Sequence, residues 1–595
     1  MFLPRPRSGA SRRRLLAHTL IASAGWACAS AALADTVPSA APPAAAAPAA
    51  AAPQETVTEE LIRLLAEHNA LSKDDAAKLI KRLQDEQAAA RQPAPAAAPT
   101  ATAQQGAAPA PDVKGRVRVI YLPESEKQKI RDEVKQEVIA TAKAENWALP
   151  NSFPEWVKRL SFYGDLRLRE EFDLYDSQNN PFLINFSAIN TGAPFNVSQT
   201  ATNQPLPPLF DTTVNREQPR ISLHVGMDAK VADDLTASLR FSTGNNVNPV
   251  STNQTLGNDF NKYTFVVDRA YLSYRPLDGL VLMGGRMPNP FQSTSMMWYW
   301  DLGFDGFVAQ YHYELTDDLR PYATVGAFSV ENTALDFPQT DSVKVGSRDK
   351  WLFAAQLGAD WSVADKLKGK GGVAFYDFYH LEGELSSPCQ APTSAFSCNS
   401  DDSRSAFMQK GNTLFAIRNL LLQQPTDPQF QYFGLASPFR IVNAVVNLDY
   451  GLGGPLHLVA DADFADNIAF KKGHVLSLNP VNNYGGCSGS GCQAPYIGGN
   501  QAYLVQVRIG YPATIERWQW AVTGGYRHVE SDSVVDAFND PDFYIGGTNA
   551  KGYHLVGNLG FTHNAWFSAR WFSGTEIAGP PLAIDVVQLD LNSRF

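Results

Sequence analysis

The 595-residue sequence lacks several things, and each shortage excludes a class of protein. It has no basic excess: 50 Lys and Arg stand against 60 Asp and Glu, a formal net charge of -10, which argues against a general nucleic-acid binder. Past its N-terminal leader, no segment approaches the roughly 18 apolar residues of a membrane-spanning helix. No G-x-S-x-G, H-E-x-x-H or P-loop spacing occurs, and the ten histidines are scattered, so no enzyme is expected. Cysteine is scarce too, at five. Cys28 lies in the leader, and the other four form two close pairs, Cys389/Cys398 and Cys487/Cys492. In an exported chain these read as two local disulfides. Zinc is the alternative, but neither pair has C-x2-C spacing and CSGSGC offers no histidine. No metal or cofactor is expected.

What is present begins with an export signal over 1–34. Arg12-Arg13-Arg14 is a basic n-region, Leu15 to Ala29 a short apolar stretch, and Ala32-Leu33-Ala34 a small-x-small cleavage site. Ala/Pro-rich linkers follow at 35–53 and 92–111. Between them, 54–91 reads as a helical hairpin. Thr56 with Glu59 fits a capping box, and Leu61, Leu64 and Leu65 fall on one helical face. The hairpin is too small to bury a core alone, so self-association or docking is expected. Residues 112–159 hold a further helix, with Ile130, Val134 and Val138 as its stripe, and the lead-in to a long C-terminal region.

From Leu160 the apolar period changes from 3.6 to 2 and stays there to Phe595. Seven short connections alternate strictly with eight mostly longer ones rich in Asn, Ser, Pro and Gly. Soluble sandwiches alternate polar and apolar residues, but nothing in them requires short links at one end and long ones at the other. A transmembrane β-barrel has that asymmetry, with periplasmic turns, extracellular loops and an even strand count. The expected fold is therefore an all-β membrane protein, an antiparallel barrel of about 16 strands over 160–595, preceded by a short α-helical periplasmic region. A closed barrel also pairs every backbone group within lipid. Trp351 and Trp361 share one face of their strand. Ten residues at about 3.3 Å and a tilt of about 40° separate them by about 25 Å, the spacing of two aromatic girdles.

The stretches 117–172, GGRMPNPF (284–291), DAFNDPDFYIGGTNAKGYH (536–554) and GPPLAIDVVQLDLNSRF (579–595) resemble the bacterial "putative porin" family, over roughly 113–595. The resemblance implies an outer-membrane β-barrel channel with its N-terminal region in the periplasm, and no particular substrate. The closing DVVQLDLNSRF, with Leu589, Leu591 and the terminal Phe595, resembles the signal by which the barrel-assembly machinery recognises its clients.

The expected function is an outer-membrane porin for passive diffusion of small hydrophilic solutes or ions. The alternatives are a substrate-specific or gated channel, or an envelope anchor using the N-terminal helices. Selectivity would come from charges lining the pore. Strand parity turns Arg167, Arg169, Arg220, His224, Arg240, Arg269 and Arg286 inward from strands 1–5. Later strands add Arg508, Arg517, Arg527 and Arg570. Asp360, Asp377, Asp449, Asp461 and Asp463 are expected inward from strands 8–11, on a different arc. The plain alternative is that these residues solvate the lumen or pair across strands. The loop MPNPFQSTSMMWYWDLGF is too apolar for water. It is the expected constriction, with Trp298, Trp300, Asp301 and Asp305, the two aspartates facing the basic arc. Expected partners are outer-membrane lipid and lipopolysaccharide, the barrel-assembly machinery and, by positional analogy with trimeric porins, two further copies in a homotrimer. No nucleic acid is expected. A TonB-dependent receptor is excluded, because the segment before Leu160 is linker and helix rather than a folded plug.

Overall fold

The computed structural model describes Lys81 and residues 155–595, other than 199, 201–204, 340–341, 365 and 487–493. The chain divides into two units, Met1–Tyr121 and Leu122–Phe595, and the barrel belongs wholly to the second. Apart from helical Lys81 and the turn Glu155–Lys158, the expected leader, linkers, hairpin and lead-in helix lie outside the described residues.

Sixteen long strands form the wall, numbered here in chain order. They are β1 Leu160–Tyr175, β2 Arg216–Lys230, β3 Leu235–Ser242, β4 Val266–Leu277, β5 Leu280–Pro288, β6 Gly303–His312, β7 Leu319–Glu331 and β8 Lys350–Ala364. The second half comprises β9 Leu367–Tyr379, β10 Arg440–Gly453, β11 Leu456–Asn467, β12 Gln501–Gly510, β13 Trp520–Val529, β14 Ala550–Thr562, β15 Ala565–Glu576 and β16 Ala583–Arg594. Each pairs antiparallel with the next, and β16 returns to β1 in the register Leu168↔Leu591, so the barrel closes. A two-residue strand, Gln254–Thr255, adds to β2. Closure leaves no open edge, as a bilayer requires.

Seven connections are short and eight, loops 1 to 8, are mostly long, in the alternation expected. The β4–β5 turn shows how tightly the short ones are built. Gly279 sits at φ 81°, and a Cβ there would lie 2.3 Å from the His312 carbonyl oxygen.

One face of the wall is an apolar belt. Phe162, Phe307, Leu357, Val373, Val505 and Leu589 are all exposed on it. In water such a belt would be an aggregation surface, whereas in lipid it is the matching solvent. Trp351 and Trp361 both alternate onto this face, in step with exposed Phe353 and Leu357. The chain end joins the seam. Phe595 exchanges two backbone hydrogen bonds with Gly164, at 2.9 and 3.0 Å, and its ring lies where a Gly164 side chain would begin.

The lumen departs from the simple expectation of a polar interior. On the extracellular side of β8–β12 the inward residues are apolar: Leu352, Tyr376, Phe378, Ile441 and Leu504 are buried. They carry a hydrophobic core that loops build inside the mouth. Loop 3 (289–302) contributes Phe291 and Trp298, loop 5 (380–439) Phe415, Ile417 and Phe439, loop 6 (468–500) Val475 and Tyr496, and loop 7 (530–549) Val534 and Val535. Loop 5 carries its own small sheet, Leu414–Ala416 against Phe433–Leu435, and the Cys389–Cys398 disulfide. Cys487 and Cys492 lie outside the described residues.

Asp536 of loop 7 is enclosed in this core. Its Oδ2 accepts a long bond from Asn412 N–H, 3.4 Å. Burial, with too little compensation, pushes its carboxyl up from the ordinary 3.8 to about 7. A carboxyl raised on folding favours the folded state fully at low pH, and loses that contribution as pH climbs from 3.8 to about 7. Asp536→Asn should therefore hold the loop core together to higher temperature than wild type at pH 8, by on the order of 1–2 kcal/mol, and differ little at pH 4. Protease resistance of the loops on heating, at the two pH values, reads this out. At the seam, Gly164→Ala should displace the Phe595 ring and cost about 1–3 kcal/mol, seen as a lower temperature for loss of the heat-modifiable folded band.

Candidate functional site

The inward arginines fall on one arc. Arg167 and Arg169 (β1), Arg220 (β2), Arg240 (β3) and Arg269 (β4) are continuous, through the β16–β1 closure, with Arg570 (β15) and Arg527 (β13). Asp360 (β8), Asp449 (β10), Asp461 and Asp463 (β11) face inward about half the ring away in strand order. Neither arc is bare. Asp360 lies 3.7 Å from Lys370, Asp449 accepts from His457 at 2.6 Å, and Asp461 accepts from Asn447 and Gln506. Arg508 turns its guanidinium to the carbonyls of Tyr511 and Pro512, tying down a periplasmic turn.

Three of the expected lumen residues face the other way. Asp377 alternates with buried Tyr376 and Phe378 and shares the outer face with exposed Phe375 and Tyr379; it pairs with Arg440 at 3.1 Å. Arg286 alternates with buried Met287, and Asp305 with buried Phe304. These two meet on the outer face at 2.7 Å. The reason is common to all three. Charge marks the lumen face only where the lumen is wet, and here it holds the loop core. Asp305 therefore does not face the basic arc. Arg517 is not on a strand but in the β12–β13 turn, over Trp518.

Loop 3 crosses the lumen. At its start, Gln292 N–H donates to Gln356 Oε1 and Gln356 Nε2 returns to the Gln292 carbonyl, both 2.8 Å, so the loop is zipped to β8. Thr294 then donates its N–H (3.0 Å) and hydroxyl (2.6 Å) to Asp463 on β11. Trp298 is buried against Phe304 and Tyr376 as part of the core, not the passage. Trp300 is 46% exposed, with the Arg167 guanidinium 5.6 Å from its ring. Asp301 is buried; it accepts from Thr252 at 2.8 Å and lies 3.5 Å from His224 and 3.8 Å from Arg240. His224 in turn holds Asp165 at 2.8 Å.

Strand parity alone missed the carboxylates that hold the basic arc. Arg169 has no exposed side-chain surface. It grips Asp590 of β16 with two bonds, 2.7 and 3.1 Å, and Asp542 of loop 7 with a third, 3.0 Å. Arg527 bonds Asp540 at 2.9 Å, Arg220 meets Glu171 at 2.9 Å, and Arg570 lies 3.7 Å from Asp542. Arg240 pairs with Asp268, which a bulge between β3 and β4 turns inward beside Arg269. Loop 7 also joins loop 3: Tyr299 N–H donates to the Phe538 carbonyl, and the Tyr299 hydroxyl to Asp542 at 3.1 Å. Burial alone would raise Asp542, but Arg169, Arg167 and Arg570 outweigh it and hold its carboxyl well below the usual range. A signal was available. Asp540-Pro541-Asp542 puts two carboxylates in an aromatic loop, and buried carboxylates imply buried cations.

The sequence model of the "Putative porin" family matches residues 55–595, reaching further toward the N-terminus than the motifs alone. No curated protein matches the sequence. Among solved structures, the outer membrane channel DcaP of Acinetobacter baumannii aligns with 73% of this chain and 97% of its own, at 12% identity and a TM-score of 0.35. OprB of Pseudomonas putida aligns with 74% and 95%, at 12% and 0.38. OmpF of Salmonella typhi, solved with daunomycin, aligns with 73% and 97%, at 11% and 0.33. Likenesses of this depth bear on none of this chain's residues. The family match spans most of the sequence, and the chain belongs to the "Putative porin" family: it is an outer-membrane channel for passive diffusion.

Proposed function

We propose that the channel is a narrow one, constricted where loop 3 passes the basic arc. The observation that carries this is the pinning of loop 3 to the far wall, Thr294 to Asp463, with Trp300 and Asp301 set against Arg167, His224 and Arg240. Small hydrophilic solutes pass this point between an aromatic edge and paired charges. Arg220 and Arg570, each about a fifth exposed, and Asp165, Asp360 and Asp449 line the way. Pairing leaves the resting pore weakly selective between anions and cations. The loop core inside the mouth supports the gated variant of this reading over a wide open pore.

The remaining organisation belongs to the same proposal. The leader 1–34 directs export, and the hairpin 54–91, flanked by the Ala/Pro-rich linkers 35–53 and 92–111, and the helix in 112–159 stand in the periplasm. Leu589, Leu591 and Phe595 present the assembly signal to the barrel-assembly machinery. The belt meets lipid and lipopolysaccharide, and three copies associate through it. The disulfides at Cys389–Cys398 and Cys487–Cys492 shape the outer vestibule.

Planar-bilayer recording of the purified chain tests the core of this. Ohmic steps with a small reversal potential in a salt gradient are expected, closing in thirds for a trimer. Thr294→Val removes one hydroxyl from the Asp463 contact and should widen the passage, with a severalfold rise in conductance and a stability loss of about 1 kcal/mol. Unchanged conductance in a folded Thr294→Val barrel would remove loop 3 as the constriction.

A further inference from the structure

Loop 7 joins loop 3 at Tyr299 and, beyond that contact, covers the basic arc. Around Arg169, five guanidinium groups (Arg167, Arg169, Arg220, Arg527, Arg570) face four carboxylates (Glu171, Asp540, Asp542, Asp590). Two of the four, Asp540 and Asp542, are carried by the loop rather than the wall. Without them the wall answers these five cations with Glu171 and Asp590, and with Asp165 beside Arg167 and Asp173 beside Arg220 at the margins. Arg167 Nε and Arg527 Nε, though buried, have no hydrogen-bond partner among the described residues. The site thus holds more donors than its tethered acceptors use.

We propose that this cluster is a binding site for small carboxylate solutes, occupied at rest by Asp540 and Asp542 as tethered substitutes. The inference rests on the diffusion-channel reading and adds a ligand class and a resting state to it. The chemistry of the occupant fixes the class. Planar guanidinium forks match carboxylates two bonds at a time, as Arg169 does with Asp590. A solute with one or two carboxylates offers what the loop side chains offer.

The order of entry follows exposure. Arg570 and Arg220 keep 23% and 21% of their side chains exposed, whereas Arg169 is covered. A solute meets these edges first and then exchanges with Asp542, which Arg570 and Arg169 share. Asp540 and Asp542 are held by polar contacts, whereas the following Phe543 and Tyr544 are anchored in a separate apolar cluster with Phe572 and Ile584. Pro541 between the two aspartates fixes its own φ and so limits the backbone that joins them.

The test uses the full chain in planar bilayers, with malonate as the probe. Malonate should block chloride current saturably in wild type. In Asp540→Asn/Asp542→Asn the tethered competitors are gone: conductance should rise severalfold, the reversal potential should move toward anion selectivity, and the half-blocking malonate concentration should fall severalfold. If the double variant does not give the heat-modifiable band, Arg570→Gln supplies the independent reading, with the half-blocking concentration raised severalfold. Chloride current in wild type indifferent to malonate, or block of equal strength in wild type and each folded variant, overturns the proposal and leaves the channel reading standing. Absence of current from a folded wild-type barrel would instead overturn the channel reading itself.

Discussion

A guanidinium with no exposed surface must be paired, and much of this structure depends on how that is done at Arg169. Its two bonds to Asp590 cross the seam between the first and last strands. Its third, to Asp542, brings loop 7 into the barrel. One buried cation therefore ties closure of the wall to the position of a loop that starts far from it in sequence. Taking these charges out of water costs several kcal/mol each, so they are stable only together. Removing one partner would strand the others.

Once loop 7 is held there, packing determines the rest of the mouth. Loop 7 supplies Val534, Val535 and Ala537, loop 3 supplies Met296, Met297 and Trp298, and loop 5 adds Phe415, Ile417 and Phe439. None of these loops could bury such side chains alone. Together they rest on the apolar lumen face of β8–β12. The barrel thus has two apolar surfaces, one matched to lipid outside and one to its own loops inside. The periplasmic half of the lumen, with Asp165, Asp360, Lys370, Asp449 and His457, stays polar and open to water.

Much of this was legible in the sequence. Strand count, the alternation of short and long connections, closure through Phe595 and the inward fold of loop 3 all derive from period 2 and from apolar residues that water would not tolerate. The three charged residues assigned to the wrong face have one source of error. Parity says that two residues share a face, but not which face is wet. Where the lumen is apolar, Tyr376 and Met287 turn inward and carry Asp377 and Arg286 outward with respect to them. The pairing of Arg169 with Asp590 and Asp542 was illegible for a different reason: their separations of 421 and 373 residues leave no local trace. The Asp-Pro-Asp in an aromatic loop was the one local sign that cations waited elsewhere.

A diffusion channel must let a solute leave, so a strong anion site in its narrowest part would be self-defeating. The arginine cluster stripped of its two loop carboxylates would be such a site. A short tethered carboxylate acts at an effective concentration of about millimolar or above. Any free carboxylate solute must compete with it, which weakens the apparent affinity by the ratio of that concentration to the tether's own dissociation constant. Binding then stays specific for the carboxylate group while release is assisted, because the departing solute is replaced by Asp540 or Asp542 rather than by water. The same two side chains that satisfy buried cations at rest thus reconcile a strongly basic constriction with passive flow.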